Sequence, residues 1–90
     1  MREFVAEQYL PADGRAAAAG GAGAARAAAE ELTREGTAIE FVRSIFIPED
    51  ETCLHLYLAE SRDAVRALAG RAALRLERVT EAVTDSGAQQ

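Results

Sequence analysis

Ninety residues, with 15 acidic against 10 basic side chains and a formal net charge of −5, amount to one small domain and exclude a multidomain reading. The acidic balance argues against nucleic acid, whose phosphates are held by Lys and Arg, and no apolar run approaches the about 20 residues that cross a bilayer. Cys53 is the single cysteine, so no intramolecular disulfide forms; no charged leader with an apolar run precedes the first strand pattern, and the expected setting is a reducing cytoplasm. A chain of this size hides only about 63% of its surface on folding. The 49% hydrophobic content is swollen by alanine, which carries little apolar area. Association with a partner is a natural way to bury more.

From Arg2 to Leu10 the chain mixes aromatic and β-branched residues over strand length, and Pro11, Asp13 and Gly14 end it. Arg15 to Arg34 is rich in alanine and closes with Glu30, Glu31 and Leu32, a helix with Gly36 placed for a left-handed C-terminal cap. Gly20, Gly21 and Gly23 weaken its first half, each costing up to about 1 kcal/mol relative to alanine. That half is expected to be loop or frayed helix. A dinucleotide fingerprint is not intended there: Arg26 stands where the third glycine belongs, and no strand immediately precedes.

Ala38 to Ile47 is too β-branched and aromatic for a surface helix, and Pro48, Glu49 and Asp50 turn the chain. Thr52 to Leu58 alternates strictly, with Leu54, Leu56 and Leu58 on one side and Cys53, His55 and Tyr57 on the other. Ser61 is placed to cap a second helix, whose apolar stripe is Ala64, Val65, Leu68, Ala69 and Ala72. Arg78 to Thr84 is the last strand. The expected domain runs over residues 1–84, followed by a flexible tail, 85–90.

Strand, helix, strand, strand, helix, strand is the split βαβ, or ferredoxin-like, order: an α+β fold with a four-stranded antiparallel sheet and two helices on one face. The three leucines are expected under the helices. The opposite face would then carry Cys53, His55 and Tyr57 with Val5, Glu7 and Tyr9 of strand one and Glu40, Val42, Ser44 and Phe46 of strand two. Such a face is too apolar for open water. A two-fold homodimer, sheet against sheet as a dimeric α+β barrel, would cover it and enclose a cavity.

Chemistry would reside in that cavity. Cys53 and His55, two apart on one strand, point the same way and with Glu7 make the candidate metal set, incomplete without further ligands. His55 with Glu7 and Tyr9 is the candidate acid–base group, since an imidazole titrates near neutral pH and a half-buried carboxyl shifts upward. Tyr57 and Arg43 are candidate ligand contacts, Arg43 through anion binding. The bland readings stand beside these: His55 as a hydrogen-bonded interface imidazole, Glu7 as a solvated strand residue, Tyr9 as a packing residue, Arg43 snorkelling from a sheet edge.

Several runs carry a resemblance: Phe-Val-Ala-Glu-Gln-Tyr-Leu-Pro at 4–11, Ala-Ala-Ala-Glu-Glu-Leu at 27–32, and Val-Arg-Ser-Ile-Phe-Ile-Pro-Glu-Asp-Glu-Thr-Cys-Leu-His-Leu-Tyr at 42–57. With Ala-Glu-Ser-Arg-Asp-Ala-Val-Arg at 59–66 and Arg-Val-Thr-Glu-Ala-Val at 78–83, the chain resembles a small actinobacterial family of ferredoxin-like domains that has a nickel-binding member. The resemblance implies a dimer. It also implies a divalent metal, Ni2+ first, with Glu7 in the first-strand position and Asp50, Glu51, Cys53 and His55 in the hairpin and third-strand positions. The function expected is therefore a cytoplasmic homodimer binding metal or a small ligand in a sheet-face cavity. Two alternatives are carried with it: a small dimeric-barrel enzyme (isomerase, cyclase or cofactor-free oxygenase), and a structural dimerisation module without ligand.

Overall fold

The computed structural model describes residues 1–85; residues 86–90, most of the expected tail, lie outside the described residues. The elements run β1 (Arg2–Tyr9), α1 (Arg15–Arg34), β2 (Ile39–Ile47), β3 (Thr52–Ala59), α2 (Arg62–Ala72) and β4 (Arg78–Ala82), with a 3₁₀ turn at Pro48–Asp50. The sheet has the order β2-β3-β1-β4 and every neighbouring pair is antiparallel. This is the ferredoxin-like α+β arrangement the sequence pattern implies.

Local signals explain most boundaries. Ser61 Oγ accepts from the Ala64 N–H at 3.1 Å and starts α2. Past α1, Gly36 takes φ 104° and the Thr37 N–H reaches back to the Leu32 carbonyl at 2.9 Å, closing the last turn as only a residue without Cβ does at low cost. The glycine-bearing half of α1 is helical throughout. Its alanines reach the core, and burial of that face outweighs the weak propensity. Behind the β2–β3 turn, Glu51 has φ 49°, its carbonyl accepts the Leu10 N–H and its carboxylate accepts the Ala12 N–H, so one residue ties the hairpin to the β1–α1 connection.

The two faces of β3 are opposite to those expected from the sequence, whereas Val5, Glu7 and Tyr9 of β1 and Glu40 of β2 lie on the helix-free side as expected. Cys53, His55, Tyr57 and Ala59 of β3 are fully buried on the helix side, with Phe4 and Ala6 of β1 and Ile39 and Phe41 of β2. Leu54, Leu56 and Leu58 lie half-buried on the side without helices. Alternation fixes which residues share a face, not which face the helices choose. The helices bring mainly small residues to the core, Ala18, Ala25, Ala28 and Ala29 from α1 and Ala64 and Ala69 from α2. The bulk comes from the sheet: Phe4, Phe41 and Tyr57, the last two edge-to-face at 5.6 Å.

A β-bulge in β2 makes the second correction. The register pairs Phe41 with Tyr57 and then Arg43 with Leu56, passing over Val42. Strict alternation would put Val42, Ser44 and Phe46 together with Glu40. The extra residue reverses the parity: Ser44 faces His55 and Phe46 packs against Cys53 on the helix side, while Arg43, Ile45 and Ile47 join Glu40 on the open face.

Candidate functional site

The polar centre of the molecule is His55. It is fully buried, and both ring nitrogens are engaged: Nδ1 lies 2.6 Å from Ser44 Oγ and Nε2 lies 2.8 Å from Gln8 Oε1. The arrangement that satisfies all three groups has Nε2–H donating to the Gln8 carbonyl oxygen and the Ser44 hydroxyl donating to Nδ1, a neutral imidazole. Three strands supply these groups, Gln8 from β1, Ser44 from β2 and His55 from β3. Burial holds the His55 pKa below its ordinary 6.5 and so favours the neutral ring.

Two further buried groups on β3 flank the imidazole. The Cys53 thiol is pushed up by burial, the neighbouring Ser44 hydroxyl working against the shift. It packs with Leu10, Ala18 and Phe46. Tyr57 is pushed well above the ordinary phenol range by burial and by its nearness to Cys53, and its hydroxyl is buried with no hydrogen-bond partner among the described residues. Neither a thiolate nor a phenolate is favoured here.

The candidate residues thus divide between two surfaces. Cys53, His55 and Tyr57 lie under the helices. Glu7 pairs in register with Leu54 on the open face, its Oε2 3.8 Å from Arg78 Nε. Tyr9 lies beside Thr52 on that face and is 58% exposed, and Arg43 stands there opposite Leu56. The sheet therefore separates His55 from Glu7 and Tyr9 and does not assemble the expected acid–base group or the His55, Cys53 and Glu7 metal set. Among the described residues no group of three or more His, Cys, Asp and Glu side chains gathers as a metal site. Nor do Tyr57 and Arg43 share a cavity. Gln8 and Ser44, which the sequence reasoning passed over, are what the structure adds. Gln8 follows Phe4 and Ala6 at period two and was open to detection, whereas Ser44 reaches His55 only through the bulge.

The open face is laid out in rows across the strands. Ala82, Glu3, Leu58 and Glu40 form one row, Thr80, Val5, Leu56 and Arg43 the next, and Arg78, Glu7, Leu54 and Ile45 a third. Its middle is apolar and its borders are charged.

The model of the family described as nickel responsive protein SCO4226-like matches residues 4–82. The chain belongs to the SCO4226-like family. The crystal structure of SCO4226 from Streptomyces coelicolor A3(2) is similar to this chain with a TM-score of 0.78 at 15% identity, covering 93% of this chain and 99% of that one. At that identity the likeness establishes a common fold. No curated protein matches the chain significantly. The resemblance read from the sequence runs is borne out by the SCO4226-like match, which spans every element from β1 to β4.

Proposed function

We propose that this SCO4226-like protein is a homodimeric, divalent-metal-responsive protein of the cytoplasm, its two copies meeting through the open face of the sheet, with nickel the metal to test first. The single observation that carries the dimer is the run of Leu54, Leu56 and Leu58 on the helix-free side of β3, continued by Val5 and by Ile45, which is 39% exposed. Hiding such surface is worth about 25 cal/mol per Å², and a two-fold contact hides it on both copies at once.

Nickel is supported by the family description alone. The residues of one chain do not fit a metal: both His55 nitrogens are engaged, burial favours the protonated thiol at Cys53, and Glu7 lies across the sheet from both. On this reading the donors come from two chains, and the β1 carboxylates of the open face, Glu3 and Glu7, are those at hand. The separation of His55 from Glu7 speaks against the enzyme alternative, which needs both at one reacting atom.

Sedimentation velocity at micromolar concentration combined with calorimetric titration of NiCl2 tests the reading. A dimer that takes up Ni2+, loses the heat in Glu7→Gln and keeps it in His55→Gln is expected. A monomer removes the reading altogether; a dimer without heat leaves only a structural dimerisation module.

A further inference from the structure

Glu40 and Arg43 are the two charged residues of β2, an edge strand, and both stand on the open face: Glu40 beside Leu58, Arg43 beside Leu56. Arg43 is there because Val42 is bulged out of the pairing; were Val42 paired in strict alternation, Arg43 would point to the helix side. Among the described residues neither side chain forms an ion pair or a hydrogen bond. The other charges of the open face do have neighbours there, since Glu7 approaches Arg78 and Glu3 accepts from the Thr84 hydroxyl. On that face one charge of each sign, on adjacent rows of the edge strand, is thus left without a partner among the described residues.

One positive and one negative group on the same strand form a self-complementary pair. In a two-fold contact, if residue 43 of one copy meets residue 40 of the other, the converse contact follows by symmetry. We propose that Arg43 of each copy pairs with the partner subunit's Glu40, so that the two reciprocal ion pairs fix how the open faces dock. The apolar rows supply non-directional attraction. The charges select one register and orientation, as charged groups at the rim of an interface do. This inference rests on the dimer proposed above, and adds to it the residues that determine partner choice. The occupant of the face is a second copy of this chain, because only that partner is certain to present the matching charges in the converse order.

Charge reversal tests the pair and separates it from the reading beneath it. In a homodimer Arg43→Glu sets carboxylate against carboxylate at both contacts, and Glu40→Arg sets guanidinium against guanidinium at both. Each variant alone is expected to raise the dissociation constant about tenfold or more by sedimentation velocity. The two variants mixed restore opposite charges only when unlike subunits meet, and that mixture is followed by labelling one variant with a fluorophore. In the unlike pair, position 43 of the first variant and position 40 of the second carry Glu and Arg, while position 40 of the first and position 43 of the second carry Glu and Arg as well. Both contacts are then ion pairs, and the heterodimer is expected to be about as tight as the wild type. Mixing Arg43→Glu with Glu30→Arg, whose altered charge is on α1, gives no such rescue and controls for overall charge. Circular dichroism checks that each variant folds, which both exposed positions permit. A wild-type dimer whose single reversals leave the dissociation constant unchanged, or whose mixture fails to recover, overturns the ion pair while the dimer stands. A wild-type chain that stays monomeric overturns both.

Discussion

Ser44 Oγ and His55 Nδ1 lie 2.6 Å apart in the buried layer between sheet and helices, and the bulge at Val42 is what brings them together. Removing the hydroxyl leaves a buried imidazole acceptor without a donor. Ser44→Ala is therefore expected to cost about 1–3 kcal/mol. Urea unfolding would register this as a lower midpoint with an unchanged slope. Deleting Val42 is expected to do less harm, because Arg43 then follows Phe41 in regular alternation and Ser44 and Phe46 keep their places on the helix side.

The same imidazole makes stability depend on pH. Its folded pKa lies below the 6.5 of an exposed ring, and the cause is burial. The unfolded chain therefore binds the proton more readily than the folded one. His55 contributes stability that is fully present above pH 6.5 and is lost as pH falls through the lowered folded value. Unfolding free energy should decline between pH 7.5 and about 5.5, and His55→Gln should flatten that slope. An equal slope in the variant would assign the decline to carboxylates instead.

Much of the fold was legible in the residues. Pro48, Glu49 and Asp50 marked the hairpin, Ser61 marked the start of α2 and Gly36 the end of α1, each through a local hydrogen-bonding or dihedral requirement. The site was far less legible. The β3 pattern has apolar residues at both parities, and Leu54, Leu56 and Leu58 look better suited to a core than His55. What settles the choice is tertiary: helices faced with alanine leave room for Phe41 and Tyr57, and Gln8 and Ser44 satisfy the imidazole. Those partners are 47 and 11 residues away in sequence, and the nearer one depends on a one-residue register shift.

Tyr57 offers a case where removing a polar group should do no harm. Its hydroxyl is buried and has no hydrogen-bond partner among the described residues, so the folded state bears a desolvation cost with nothing returned. Tyr57→Phe keeps the ring against Phe41 and is expected to leave stability unchanged or raise it by up to about 1 kcal/mol. A loss of more than that in chemical denaturation would mean the hydroxyl is satisfied in solution.

Ala73 closes α2 in a left-handed conformation, φ 57°, where its Cβ crowds the following carbonyl. Its N–H and that of Leu74 still return to the last turn of the helix, at Gly70 and Ala69. The conformation is thus required by the cap, and alanine is an expensive residue to hold there, by about 1–2 kcal/mol. Glycine adopts it freely but loses more freedom on folding. The net expectation for Ala73→Gly is a gain of up to about 1 kcal/mol, read as a higher thermal midpoint.

Leu56 occupies the middle of the open face, between Val5 and Arg43. Its two β3 neighbours on the other parity, His55 and Tyr57, are fully buried, so the same strand carries the core on one side and the proposed contact on the other. A charge at position 56 should therefore leave the fold alone and act on association. In Leu56→Asp the carboxylate would sit at the centre of a two-fold contact and appear once from each copy, two charges to be taken out of water, each drawing the neighbouring Arg43 of its own chain away from the proposed contact. The expected result is a monomer by sedimentation velocity with far-ultraviolet dichroism unchanged. The isolated subunit should unfold with a midpoint independent of protein concentration, while the wild type becomes more resistant as concentration rises. If Leu56→Asp instead unfolds the chain, the leucine row is supporting the sheet itself; if it leaves a dimer intact, the copies meet elsewhere.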